Sequence, residues 1–288
     1  MFKGSITALV TPFKENQDVD FLQLTRLIEL QIEAKTDALV CCGTTGESPT
    51  LSDEEHFLIF ETAVKTARGR IPIIAGTGTF STAHTVYRTQ EAFKRGVDAA
   101  LVIVPYYNRP SFEGCLAHFA ALDHVGLPLI IYHHPGRTGV TLQDQELATL
   151  GDLPSVIGIK EASGSCDTIR FLHQNTSLKI YSGDDALAFS HLEAGADGVI
   201  SIVSNILPGS WRDMIHAFCE HDFITSETIF ERMLPLCKAL VMETNPQGIK
   251  YALSLVGDTL DVMRLPLIPP KYSTQLHIQA VLNSFKTG

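Results

Sequence analysis

The feature that most constrains this chain is an alternation that runs from residue 5 to about residue 202, in which short apolar runs rich in β-branched residues recur between amphipathic stretches. There are eight such runs: Ser5–Val10, Ala38–Cys42, Ile71–Ala75, Ala99–Val104, Leu129–Tyr132, Val156–Lys160, Lys179–Ser182 and Gly198–Ile202. Most are continuously apolar rather than alternating, the pattern of strands covered on both faces by crossover helices. Ser52-Asp53-Glu54-Glu55 fits a capping box at a helix start. Gly96-Val97-Asp98 and Gly195-Ala196-Asp197 each place a glycine between a helix and the next strand. Consecutive βα units in this number suit a closed (β/α)8 TIM barrel, an α/β fold, better than an open doubly wound sheet.

Beyond Ser204 the strand pattern stops. Trp211–Glu220, Glu227–Met242 with a kink allowed at Pro235, Gln247–Val256 and Thr274–Ser284 read as helices. No stretch rich in Gly, Ser or charge separates them from what precedes. The expectation is therefore a catalytic barrel over 1–204 and a C-terminal helical extension over 205–288, packed on the barrel as one structural domain.

Charge narrows the partners. Lys plus Arg total 22 against 32 Asp plus Glu, a net charge of −10, which repels a phosphate backbone and an anionic membrane surface. Neither nucleic acid nor membrane is expected as a partner. Met1-Phe2-Lys3-Gly4-Ser5 leads directly into the first strand-like run, without an apolar span, so a cytoplasmic protein is expected. The six cysteines lack a C-x-x-C pairing, and Cys41 and Cys42 read as small buried side chains rather than a redox pair.

In a barrel of this kind, chemistry gathers at the carboxyl ends of the strands. The sixth run ends Val156-Ile157-Gly158-Ile159-Lys160-Glu161, and a period of two puts Lys160 on the face of Gly158 and Val156, with Gly158 leaving space beneath the lysine if that face is the interior. A lysine desolvated in a barrel mouth loses part of its preference for the charged form and becomes a nucleophile able to form an imine. The alternative is a lysine that reaches out to water and pairs with Glu161.

The fifth run ends in Tyr132 and is followed by His133-His134-Pro135-Gly136-Arg137, bringing a phenol for proton transfer and a guanidinium for a carboxylate to the same rim. A strand-capping Tyr and a surface Arg would look alike in sequence. Gly43-Thr44-Thr45-Gly46-Glu47 after the second run offers a backbone nest with two hydroxyls, suited to a small carboxylate, although a plain βα turn uses similar residues. Tyr106 and Tyr107 after the fourth run are either aromatic packing or part of a proton relay.

Other readings compete. Gly76-Thr77-Gly78 with Asp98 further on partly matches a dinucleotide fingerprint, but Ser81 stands at the third glycine. Adjacent His133 and His134 suggest a metal-dependent aldolase, yet neighbours in sequence rarely converge on one ion and no spaced ligand set accompanies them. A catalytically silent barrel that only binds ligands also remains in view.

Taken together, Gly4-Ser5-Ile6, Val10-Thr11-Pro12, Gly43-Thr44-Thr45-Gly46-Glu47-Ser48, Ile74-Ala75-Gly76-Thr77-Gly78, Pro105-Tyr106-Tyr107-Asn108-Arg109-Pro110, Arg137-Thr138-Gly139, Gly158-Ile159-Lys160-Glu161-Ala162, Ser182-Gly183-Asp184-Asp185 and Gly198-Val199-Ile200-Ser201 resemble the dihydrodipicolinate synthase family over nearly the whole chain. That family belongs to the pyruvate-dependent class I aldolase superfamily, which also contains N-acetylneuraminate lyase. The resemblance implies an imine at Lys160, a proton relay of Tyr132, Thr44 and Tyr107 with Tyr107 given to a neighbouring subunit, a pyruvate carboxylate held by Thr45 and by backbone near Gly183 and Ile200, and an acceptor carboxylate on Arg137. It implies condensation of pyruvate with aspartate semialdehyde, no metal or cofactor, and a homotetramer built as a dimer of dimers. Thr44-Thr45 and Arg137 favour this reaction over relatives acting on sugar acids such as N-acetylneuraminate.

The chain departs from the family pattern in two places. His133-His134-Pro135-Gly136-Arg137 stands where Asn-Val-Pro-Ser-Arg is common, and Asn245-Pro246-Gln247-Gly248-Ile249-Lys250 replaces Asn-Pro-Ile-Pro-Val-Lys. The lysine effector pocket of inhibited relatives maps to Ser48, Pro49, Asp53, His56, Phe80, His84 and Tyr106. Phe80 replaces a usual Asn and His84 an acidic residue, so weak or absent inhibition by lysine is expected.

Overall fold

The computed structural model describes residues 2–286. Eight parallel strands close on one another in sequence order: β1 (Gly4–Ala8), β2 (Ala38–Cys41), β3 (Ile73–Gly76), β4 (Ala99–Ile103), β5 (Leu129–His133), β6 (Val156–Glu161), β7 (Lys179–Ser182) and β8 (Gly198–Ser201). Closure comes from β1 pairing with β8, with Gly4 opposite Gly198 and Ile6 opposite Ile200. A Cβ on Gly198 would stand 2.2 Å from the Gly4 carbonyl oxygen, so this seam requires glycine. The helices between strands are α1 (Phe21–Glu33), α2 (Asp53–Ala67), α3 (Thr82–Lys94), α4 (Phe112–Ala120), the short α5 (Pro135–Thr138), α6 (Asp144–Gly151), α7 (Cys166–Asn175) and α8 (Ala188–Glu193). The expected TIM barrel is present, and the capping box at Ser52 and Glu55 starts α2.

The apolar side chains divide into two layers. Ile6, Ala8, Val40, Ile74, Leu101, Ile130, Tyr132, Tyr181 and Ile200 fill the barrel interior. Leu9, Leu39, Ile73, Val102, Ile131, Ile159 and Ile180 pack outward against the helices. Successive strand residues therefore alternate between two apolar environments, which is why the runs are uninterrupted in sequence.

One detail of β6 departs from expectation. The β5–β6 register jumps from Leu129↔Val156 to Ile130↔Gly158, so an extra residue is accommodated in β6. Val156 consequently joins the outer layer rather than the face of Gly158 and Lys160. The space beneath Lys160 is also not open, because a Cβ on Gly158 would meet Lys179 O at 2.6 Å and Tyr181 Cε2 at 3.1 Å. Gly158 admits the Tyr181 ring, whose hydroxyl donates to Phe2 O at 2.9 Å.

The tail forms α9 (Pro208–Cys219), α10 (Phe223–Leu240), α11 (Gln247–Val256) and α12 (Tyr272–Lys286). Helix α10 starts earlier than the apolar pattern indicates because Asp222 caps it, and it continues through Pro235. Trp211, Met214, Leu236 and Ile249 share the core that sheathes the barrel. Asn205, at the start of the tail, accepts from Val10 N at 3.1 Å and donates to Ala8 O at 2.8 Å. The tail thus reaches the rim where β1 ends.

Among the described residues no helix is long and apolar enough to cross a membrane. Cys41 and Cys42 are buried and free, and burial pushes the Cys41 thiol up to about 12, which leaves it protonated and unreactive at neutral pH.

Candidate active site

A cavity of about 500 Å³ opens at the carboxyl ends of the strands. Its floor is set by strand register: Tyr132 on β5 stands opposite Lys160 on β6, and Lys160 opposite Tyr181 on β7. Lys160 is 6% exposed, and its Nζ lies 4.5 Å above the centre of the Tyr132 ring. Burial lowers its pKa to about 8; the Asp185 carboxylate opposes that shift and the Arg137 guanidinium adds to it. A free amine is therefore accessible near neutral pH, in a site that shields it from water. Glu161 does not pair with this lysine. It accepts from His133 Nδ1 at 2.7 Å and from Ser163 N at 2.5 Å on the opposite side of the strand.

Gly183, after β7, makes room for the lysine. A Cβ there would stand 2.6 Å from Ala162 Cβ and 3.0 Å from Lys160 Cε. Asp185, two residues further on, uses Oδ2 to accept from the amides of Ile202 at 2.9 Å and Val203 at 2.7 Å. Its Oδ1 is buried without a partner, and burial raises its pKa to about 6. Strand periodicity does not single out this carboxylate, because it opens a 3-10 turn, Asp185–Leu187, beyond β7 and its partners follow β8.

Burial raises the pKa of the Tyr132 phenol, and the Thr44 side chain beside it opposes that shift. Thr44 belongs to a tight turn in which the amides of Gly46 and Ser48 bond back to Gly43 O, and the amide of Glu47 to Thr44 O. Those three amides are spent within the turn, so any anion held there depends on the hydroxyls and the remaining amides. Glu47 adopts φ 55°, and its carboxylate is buried against Lys250 of α11 at 2.5 Å. The tail thereby clamps the turn that carries Thr44 and Thr45.

The α10–α11 link contributes the far wall. Asn245 Nδ2 donates to Thr45 Oγ1 at 3.1 Å, and Arg137 Nη2 donates to Asn245 O at 3.4 Å. Asn245 was not recognisable as a site residue from local pattern, since it lies 200 positions from Thr45. Arg137 sits on α5 with its side chain exposed at the cavity mouth.

Of the candidates, Lys160, Tyr132, Thr44, Thr45, Arg137 and Gly183 line one cavity. Ile200 is buried in the barrel interior, and the cavity wall is formed instead by Ile202. Tyr107 does not reach the cavity of its own chain. It is 89% exposed with φ 71°, beside Tyr106, which packs edge-on against Phe80 at 5.5 Å.

The rejected motifs find structural uses. A Cβ on Gly76 would meet Cys42 O at 2.2 Å and one on Gly78 would meet Ile103 N at 2.5 Å, so these glycines allow close backbone packing in a barrel that has no dinucleotide-binding sheet. His133 and His134 diverge, one toward Glu161 and the other against the Tyr132 ring. Of the residues expected above to match an effector pocket, Asp53 is engaged by Arg88 Nε at 2.7 Å and His84 Nε2 at 3.0 Å.

Comparison with known proteins agrees with this geometry. Residues 1–285 match the model of the dihydrodipicolinate synthetase family. The 4-hydroxy-tetrahydrodipicolinate synthase of Trichlorobacter lovleyi is 41% identical over 289 residues, 99% of each chain. The crystal structure of dihydrodipicolinate synthase from Aquifex aeolicus superposes with a TM-score of 0.96 at 39% identity, covering 99% of this chain and 98% of that one. A pyruvate complex of the dihydrodipicolinate synthase of Acinetobacter baumannii superposes with a TM-score of 0.96 at 37% identity, covering 98% of each chain.

Proposed function

The chain belongs to the dihydrodipicolinate synthetase family, and from that premise we propose that it condenses pyruvate with L-aspartate 4-semialdehyde to give 4-hydroxy-tetrahydrodipicolinate, the first committed step toward diaminopimelate and lysine. The observation that carries this reading is the buried Lys160 amine, with its pKa lowered to about 8, 4.5 Å above the Tyr132 ring in a cavity that Thr44 also lines. Lys160 Nζ attacks the pyruvate ketone, and the carbinolamine loses water to an imine. The protonated imine draws electron density from the neighbouring C–H bond, so loss of a methyl proton gives an enamine. No step calls on a metal ion or a redox cofactor.

The enamine carbon attacks the aldehyde, and the aldehyde oxygen becomes a hydroxyl. The amino group of the acceptor then adds to the imine carbon, closing the ring and releasing Lys160 as the free amine. Tyr132 and Thr44 carry protons between these steps, completed by Tyr107 of a neighbouring subunit. Thr45 and backbone at Gly183 hold the pyruvate carboxylate, with Ile200 supporting that pocket from the interior. Arg137 at the cavity mouth takes the acceptor carboxylate.

The 89% exposure of Tyr107 supports an assembly in which a second copy receives it, and we assign a homotetramer of two such dimers working in the cytoplasm. Lysine inhibits weakly or not at all, because Asp53 is neutralised within the chain and His84 presents no carboxylate to an incoming ammonium. A coupled assay that offers aspartate semialdehyde and N-acetylmannosamine as alternative acceptors tests the function. Turnover is expected with the first and only background with the second, and Lys160→Ala removes it. Preference for the sugar, or unchanged turnover in Lys160→Ala, overturns the assignment.

A further inference from the structure

Among the cavity side chains to which the steps above give no role is His134. His134 stands where the chain leaves β5 for α5. Its ring is edge-on to Tyr132, with centroids 5.8 Å apart and planes at 67°, and it lines the cavity together with Arg137 and Lys160. A Cβ on Gly136 would lie in ordinary van der Waals contact with the ring, 3.4 Å from Cε1 and 3.6 Å from Nδ1. Nδ1 is buried with no hydrogen-bond partner, so Nε2 is the ring nitrogen left to meet a ligand. The residue's carbonyl already accepts from the amides of Arg137 and Thr138 at 3.0 Å.

The ring is uncharged at neutral pH, because burial and then the Arg137 and Lys160 cations push its pKa down to about 4. A neutral imidazole carries one donor nitrogen and one acceptor nitrogen. It adds no charge for a carboxylate, which the planar fork of Arg137 already matches, but its lone pair suits an ammonium. In an α-amino acid head the two groups share one carbon, so their receptors must be neighbours, and His134 and Arg137 lie three residues apart around the turn of α5.

Each wall carboxylate uses one oxygen to hold backbone amides. Asp185 holds the amides of Ile202 and Val203, Asp184 Oδ1 accepts from Ala186 N at 2.9 Å, and Glu243 Oε1 accepts from Lys271 N at 2.9 Å. We propose that His134 is a specificity-determining residue that accepts a hydrogen bond from the 2-ammonium group of the acceptor aldehyde while Arg137 binds the carboxylate on the same carbon. This rests on the reading above of an imine at Lys160 and an acceptor carboxylate at Arg137.

The test compares His134→Val and His134→Gln with the parent enzyme. It uses the KM for aspartate semialdehyde, the inhibition constant of succinate semialdehyde, which lacks only the amino group, and borohydride trapping with pyruvate alone as a control. His134→Val is expected to raise the aspartate semialdehyde KM roughly tenfold, to leave the succinate semialdehyde constant unmoved and to retain trapping. His134→Gln, whose amide oxygen can accept, recovers most of the loss. An unchanged KM, or equal weakening toward both aldehydes, overturns the proposal for His134 while trapping stands. Absence of trapping in the parent enzyme defeats the imine reading, and this proposal with it.

Discussion

Lys160 sits between two charges that pull its proton affinity in opposite directions. The amine is protonated below about 8 and free above it, so the rate of imine formation rises with pH through that value. Asp185→Asn keeps an oxygen for the Ile202 and Val203 amides but removes a negative charge that favours the ammonium. The midpoint of the pH profile should therefore move to lower pH. Arg137→Gln removes a neighbouring cation, so its midpoint should move to higher pH. Stopped-flow imine formation with pyruvate across pH reads both, and shifts of the same sign in the two variants would refute this electrostatic picture. Tyr132→Phe removes the phenol beside Thr44 and should lower kcat by roughly 10²–10⁴-fold.

Elements decide how such residues are held, and here the C-terminal tail matters as much as the barrel. The turn carrying Thr44 and Thr45 is fixed from α11 by the buried Glu47–Lys250 pair, whose lysine Nζ also donates to Val262 O at 2.7 Å. Burial lowers the Lys250 pKa, and the Glu47 carboxylate opposes that shift. Lys250→Met strands a buried carboxylate and should cost about 3–5 kcal/mol in urea unfolding, together with a fall in kcat. Glu47→Gln combined with Lys250→Met should recover most of the stability, since the carboxylate that Lys250 neutralised is then gone as well. Equal stabilities of the single and double variants would show that the pair contributes little.

The same elements explain what could be read in advance. The strands were legible because both of their faces are apolar, and Lys160 and Tyr132 were legible because each lies at or near the end of such a run. The extra residue in β6 was not, since it depends on pairing with β5. Tyr181 filling the space at Gly158, and Asn245 meeting Thr45 across 200 positions, likewise arise only when the barrel closes and the tail folds over its rim.

For the whole molecule, the cavity of a single chain is one phenol short of the proposed relay. Tyr107 points away at 89% exposure, in a left-handed backbone conformation that costs energy for a non-glycine residue. If a second copy receives it, Lys160→Ala and Tyr107→Phe chains mixed and reassembled will contain some sites with an intact lysine and a donated tyrosine. Activity should reappear on mixing two nearly inactive proteins, and its absence in a confirmed mixed oligomer would place Tyr107 outside the site. The measurement that bears most directly on the account is the mass of the protein after borohydride treatment with pyruvate, followed by peptide mapping. One reduced pyruvate adduct per chain, on the peptide containing Lys160, is predicted; an unmodified chain, or an adduct on another lysine, contradicts it.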